Sequence, residues 1–319
     1  MADPICFIGI DTSNYTTSVA ACDADGSVIL NLKKLLEVND GERGLRQSDA
    51  VFAHIKNLPD LLSSAKNILR DYKIVAVGCS STPRNVEGSY MPCFLVGRDT
   101  ALSIGLGANV PVFQFSHQEG HVMAAAYSSG TADTLISSPF CAFHVSGGTT
   151  EILRVTPGTT VAHPFNIELI GGTSDLNAGQ AIDRTGVAMG LTFPCGREME
   201  CLSDNCKEKV PKPRVSVKGL NCNLSGLESL AGKLYTTTQS REVTSRFVLD
   251  YLVLTFTKLT ENLLERYPDT KLLFAGGVMS NKYIQGKLSE HFNALFASPE
   301  FSADNAAGIS LLCRLAYLN

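Results

Sequence analysis

The alternation of apolar runs and turn-forming residues occurs twice along this chain. Residues 5–10, 17–22 and 27–32 read as strands, divided by the polar turn 11–16 and by Asp23-Ala24-Asp25-Gly26. Residues 140–145, 149–155 and 159–163 repeat that plan, with turns at Ser146 to Gly148 and at Thr156-Pro157-Gly158. The continuation repeats as well. A strand at 73–80, a helix at 98–108, a strand at 112–115 and a helix from His117 are matched by a strand at 271–274, Gly276-Gly277, a helix at 281–291, a strand at 294–297 and a helix at 303–318. Two longer amphipathic stretches complete the plan. One is capped by Ser48, broken at Pro59 and resumed to residue 70; the other spans 243–266. The pattern predicts an α/β chain of two related lobes.

Composition narrows the class without changing this picture. The chain has 319 residues, 44% hydrophobic and 18% charged, with no tryptophan and a formal net charge of −4. That length suffices for two cores. No basic segment precedes the first apolar run and no stretch has the unbroken apolar length of a bilayer span, so a soluble protein is expected. Ten cysteines lie mostly singly in apolar segments, and Cys195, Cys201, Cys206 and Cys222 contain no Cys-x-x-Cys pair. Free thiols in a reducing cytoplasm are expected. The acidic balance argues against binding nucleic acid by bulk charge, but Lys207, Lys209, Lys212, Arg214 and Lys218 form a local basic stretch, read either as a solvated loop or as an RNA contact.

Candidate chemistry starts at His117-Gln118-Glu119-Gly120-His121. Two imidazoles four apart share one helix face and can hold one metal ion, here at a strand-to-helix handover. The spacing alone favours surface or capping histidines, and the metal reading depends on context. A peptidase of the His-Glu-x-x-His type carries its general base directly after the first histidine, where this chain has Gln118. Three glycine pairs, Gly147-Gly148, Gly171-Gly172 and Gly276-Gly277, would let backbone amides approach an anion and favour a nucleotide site. Asp183 could accept from a ribose or belong to an Asp-Arg surface pair. Glu200 has a similar candidacy, against the reading of a solvent-facing helix acid. Asp304, opening the last helix, is by default a stabiliser of that helix's N-terminus.

The hairpin-bearing duplication resembles the actin, hexokinase and heat-shock-protein superfamily, an actin-like (ASKHA, ribonuclease H-like) duplicated two-lobe fold with an interlobe cleft. More specifically, His117-x-x-Gly120-His121, Ser146-Gly147-Gly148-Thr149-Thr150, Ala178-Gly179-Gln180-Ala181-Ile182-Asp183, Leu224-Ser225-Gly226-Leu227, Ala275-Gly276-Gly277-Val278-x-x-Asn281 and Asp304-Asn305-Ala306-Ala307 stand in the order seen in the TsaD family. The chain resembles these tRNA threonylcarbamoyladenosine synthases, formerly glycoproteases of the M22 type, over nearly its whole length. The resemblance implies lobes at 1–110 plus 302–319 and at 111–301, the latter carrying both sites. It implies His117, His121 and Asp304 as ligands of one iron or zinc ion, and His144, Val145, Ser146, Gly147, Gly148, Asp183, Gly196, Glu200 and Asn281 as positions holding an adenine nucleotide. The implied reaction is transfer of a threonylcarbamoyl group, or a related carbamoyl group, from threonylcarbamoyl-adenylate to adenosine 37 of tRNA, with a partner protein and no membrane.

Departures cluster in the first lobe. Where relatives read Gly-Ile-Glu-Thr-Ser-Cys-Asp-Glu/Asp-Thr, this chain reads Gly9-Ile10-Asp11-Thr12-Ser13-Asn14-Tyr15-Thr16-Thr17, losing two acids. Ser-Gly-Gly-His becomes Ser146-Gly147-Gly148-Thr149, and the segments 41–48 and 81–88 replace Gly-Gly-Val-Val-Pro-Glu and Gly-Pro-Gly-Leu. An enzyme with another acceptor and a nucleotide-binding paralogue acting as a regulatory partner are both compatible with these changes.

Overall fold

A computed structural model describes residues 3–13, 15–37, 45–160 and 163–319. It divides into two compact units: Met1–Ile136 with Pro157–Ile167 and Ala303–Asn319, and Ser137–Thr156 with Glu168–Ser302.

The first unit contains β1 (Ile5–Ser13), β2 (Thr16–Asp23), β3 (Val28–Leu35), α1 (Gln47–Ile68), β4 (Lys73–Thr82), α2 (Cys93–Ala108), β5 (Val112–Ser116), α3 (His117–Ser128) and α4 (Ala132–Ile136). The second contains β6 (Phe140–Val145), most of β7 (Thr150–Thr160) and β8 (His163–Thr173), α5 (Ala178–Ala188), α6 (Gly196–Asp204), β9 (Ser216–Lys218), β10 (Asn221–Asn223), α7 (Ser225–Thr238), α8 (Arg241–Arg266), β11 (Lys271–Ala275), a 3-10 turn (Gly277–Ser280), α9 (Lys282–Ser289), β12 (Ala294–Phe296) and α10 (Pro299–Ser302). The chain then returns to the first unit as α11 (Ala307–Leu318).

The duplication is explicit in the strand orders. The first sheet runs β3-β2-β1-β4-β5, and the second contains β8-β7-β6-β11-β12, extended at the β8 edge by β10 and β9. In both, the first strand pairs antiparallel with the second and parallel with the fourth, and the fourth pairs parallel with the fifth. Sandwiched between helices, β1 is buried almost throughout, and it reads as a continuous apolar run for that reason.

The two faces of β1 divide the work by the two-residue period of a strand. Ile8 and Ile10 join the core that includes Ala101 of α2 and Leu58 of α1. Phe7 instead stacks edge-on against Tyr317 of α11, and a Cβ on Gly9 would lie 2.5 Å from the Ala306 carbonyl oxygen and the Ser310 nitrogen. Asp11 and Ser13, next in that row, are therefore carried to the side of α3 and α11. A second close approach joins those helices, for a Cβ on Gly308 would lie 1.9 Å from the carbonyl oxygen of Gly120.

Several boundaries differ from the sequence pattern. Pro59 sits inside one continuous α1, whose buried row of Ala50, His54, Asn57, Leu58 and Ala65 holds the helix together across it. Ser48 does not cap that helix; the cap position is Arg46, and the Ser48 hydroxyl donates to Asp49. No turn interrupts β7 at 156–158. The last helix begins at Ala307 rather than 303, so Asp304 lies in the loop ahead of it. Residues 111–136 also stay with the first unit, because α3 packs on α11. The expected boundary at 110 is thus displaced, and the metal candidates fall in the first unit rather than in the lobe with the nucleotide candidates.

Candidate metal centre and nucleotide pocket

Three side chains converge in the first unit. His117 and His121 Nε2 atoms lie 2.9 Å apart, and Asp304 Oδ1 lies 3.1 Å from His121 Nε2 and 3.6 Å from His117 Nε2. Metal–nitrogen and metal–oxygen bonds of about 2.0–2.2 Å, at octahedral to tetrahedral angles, place neighbouring ligand atoms about 2.8–3.6 Å apart, so this triangle fits one ion. Among the described residues it is the one cluster of three such groups with that convergence.

Each ligand is held from behind. Asp11, fully buried at the end of β1, accepts from His117 Nδ1 at 2.9 Å and from the Ser80 hydroxyl. On binding a metal, His117 would give up its Nε2 proton and keep the Nδ1 proton on Asp11, the carboxylate–histidine arrangement common behind metal ions. Asp304 Oδ2 accepts from the hydroxyls of Ser13 and Thr16 at 3.3 and 3.5 Å. Glu119, between the histidines, faces away and closes a capping box with Ser116, and it also meets His163 Nδ1 at 3.3 Å.

The electrostatics follow from this packing. Burial opposes a charge on Asp11, but the adjacent His117 and the Ser80 hydroxyl outweigh it and lower the carboxyl's pKa. Burial likewise opposes a charge on His117, yet Asp11 and Asp304 raise its pKa to about 10. Asp304 is held well below the usual carboxylate range, since hydrogen bonds and charge from His117 and His121 exceed the cost of burial. The cluster thus attracts positive charge, which is what a cation site requires.

In the second unit, Gly147, Asp183, Gly196, Glu200 and Asn281 come together around a pocket of about 350 Å³, with Arg197 and Gly277 also on its wall. Cβ atoms at Gly147, Gly196 and Gly277 would meet nothing within 4 Å. Protein packing does not demand glycine there, and larger side chains would project into open space. Gly179 is the contrasting case, pressed by α5 onto the Ser146–Gly147 turn with its nitrogen donating to the Ser146 carbonyl at 3.1 Å.

The polar candidates also have structural partners. Asp183 accepts from Cys195 N at 2.8 Å, and burial raises its pKa. Arg184 pairs with Glu228 at 3.3 Å, so no Asp183–Arg184 pair forms. Glu200 accepts from the Lys282 amide, and Asn281 Oδ1 caps α9 through Ile284 N at 3.0 Å. His144, Val145, Ser146 and Gly148 do not line the pocket. Val145 is fully buried in the core, His144 lies 3.5 Å from the Thr149 hydroxyl, and Ser146 accepts from the amides of Gly148 and Thr149 and shapes the turn.

Asp11, Ser13, Thr16 and Ser80 escaped the sequence reading as supports. The available signal was Asp11 itself, an acid continuing an apolar strand where only a partnered charge is stable. Two departures from the family pattern lie beside the triangle: Thr16, at a position where the pattern carries an acid, and the 81–88 segment, whose Pro83 carbonyl accepts from Gln118 N at 3.1 Å. Asn14 and 41–44 lie outside the described residues. All ten cysteines are free, and no helix of the described residues is long and apolar enough to cross a membrane.

Solved structures share this architecture at low identity. HypF, in a phosphate- and nucleotide-bound form, superposes with a TM-score of 0.59 at 11% identity over 98% of this chain and 55% of its own. This chain therefore spans about half of HypF. Component A of the (R)-2-hydroxyglutaryl-CoA dehydratase of Acidaminococcus fermentans gives 0.53 at 15% identity, over 99% and 100% of the two chains. A ROK family protein from Streptococcus pneumoniae gives 0.51 at 12%, over 98% of each. These likenesses establish the actin-like, ASKHA fold. The sequence profile of TsaD, tRNA N6-adenosine threonylcarbamoyltransferase, matches residues 44–311. With that match across most of its length, the chain belongs to the TsaD family.

Proposed function

We propose that this protein transfers a threonylcarbamoyl group, or a related carbamoyl group, from an adenylate to adenosine 37 of tRNA, using one divalent metal held by His117, His121 and Asp304. The observation that carries this reading is the convergent triangle with Asp11 behind His117, in a chain of this family. An iron or zinc ion suits two imidazoles and a carboxylate, and when bound it would supply Lewis-acid polarisation and orientation.

The chain's own residues then have definable tasks. Asp11 keeps the His117 proton on Nδ1, and Ser13 and Thr16 orient Asp304. The glycine-walled pocket takes the adenylate, with Asp183, Glu200 and Asn281 at its wall. In the transfer, the adenosine amine forms a C–N bond at the carbamoyl carbon and loses a proton, while the bond to phosphate oxygen breaks and AMP leaves with the electron pair. A partner protein fits the same reading, since α1 leaves Phe52 and Ile55 exposed. Cytoplasmic location belongs to this reading too.

Rescue of a strain depleted of its TsaD enzyme, read as threonylcarbamoyladenosine in total tRNA, is the test. No rescue and no modified adenosine would sink transfer to tRNA. The changed positions beside the triangle favour one other reading, a nucleotide-binding regulatory paralogue. Its signature is retained metal and AMP binding without transfer.

A further inference from the structure

We infer that the exposed loop after α6 is a docking surface for the phosphate backbone of RNA, an inference that rests on the proposed tRNA substrate and specifies where it is gripped. Lys207, Lys209, Lys212, Arg214 and Lys218 all project into solvent, and none of them has an acidic partner among the described residues. The acids within the segment are Asp204 and Glu208; Glu208 Oε1 lies 3.5 Å from the Ser240 hydroxyl, which also lies 3.3 Å from Glu242 Oε2. Five cations against these three acids, on a chain of net charge −4, concentrate positive potential on one loop.

The same segment is anchored from within. Val210, Val215 and Val217 pack against the core of the second unit, and β9 pairs with β10, so the apolar residues turn inward while the cations turn out. No large apolar side chain is exposed between 205 and 218, which disfavours insertion into a lipid surface. The position relative to the nucleotide pocket also fits. Gly196, Arg197 and Glu200 of α6 line the pocket, and the basic loop starts at the other end of that nine-residue helix. At 1.5 Å per residue the separation is about 13 Å, near the rise of about four stacked nucleotides. A polynucleotide entering the pocket region would bring phosphates to the loop.

Binding of the full-length protein to an unmodified tRNA transcript, by fluorescence anisotropy over a series of salt concentrations, tests this. Replacing Lys207, Lys209, Lys212 and Arg214 with alanine should weaken binding at least about tenfold near 100 mM salt and make the log–log salt slope shallower by about 3. Melting temperature and AMP affinity should stay unchanged. A double reversal, Lys212→Glu with Arg214→Glu, is read in the same way should the fourfold variant fold poorly. Equal affinity and slope in the variants overturns the inference. So does wild-type protein that binds AMP but not tRNA, or that prefers phosphatidylserine vesicles to tRNA. Wild-type protein that grips tRNA through this loop yet modifies nothing would sink the transfer reading and leave the docking surface standing.

Discussion

At the scale of single residues, the triangle and its supports make separable predictions. His117→Ala or His121→Ala should reduce bound metal from about one equivalent to a small fraction, measured by elemental analysis, because two remaining ligands hold a divalent ion poorly. Asp11→Asn leaves all three ligands in place but weakens the hold on the His117 ring; metal affinity should fall about 10–100-fold, with little change in the circular dichroism spectrum. In the pocket, Gly147→Val should weaken AMP binding by at least about tenfold, or about 1.4 kcal/mol, in calorimetry, since the new side chain enters open pocket space. Affinity equal to wild type in that variant and in Asp183→Ala would remove the pocket assignment. The ligand types and their four-residue spacing were legible in the sequence. The partners of Asp11 were not, because Ser80 and His117 reach it through strand pairing and helix packing across long separations.

At the scale of elements, glycine contacts and helix termini decide how the site is held. Gly308→Ala forces a methyl against the Gly120 carbonyl, so it should destabilise the fold by about 2 kcal/mol or more in denaturant unfolding. By prising α11 from α3, it should also weaken metal binding without touching a ligand. Asp175 supplies a second case. It accepts from Leu176 N, Leu224 N, and the amide and hydroxyl of Ser225 at the start of α7. Burial opposes its charge, but those donors lower its pKa below the ordinary aspartate value. The sign follows from that depression: its stabilisation is present above the unfolded value, near 3.9, and is lost as pH falls toward the folded one. Because Asp175 is exposed and solvent screens its charge, Asp175→Ala should cost about 1 kcal/mol or less at pH 7 and still less in acid, by urea unfolding at several pH values. Strand and helix positions were largely readable from periodicity. Pro59 and Asp304 were misplaced because burial along α1, and docking of α11 on β1, override local signals.

At the scale of the whole molecule, the duplicated strand order was visible as a repeated pattern of apolar runs and turns. Thiol chemistry gives a whole-chain check. Eight cysteines are buried, and burial pushes the Cys6, Cys22, Cys79 and Cys222 thiols up to about 11 or 12. Titration with a thiol reagent should therefore find about two reactive groups in the native protein, Cys201 and Cys206, and all ten in denaturant. By itself, the sequence determined the α/β duplication, the ligand types and the glycine-rich turns, because these follow from side-chain period and local backbone chemistry. Only the tertiary structure decided that 111–136 belongs with the first unit, that Asp304 meets the histidines from a loop, and that Asp11 stands behind His117. Those relations depend on the closeness with which α3, α11 and β1 pack, and no local pattern records a distance between segments nearly three hundred residues apart.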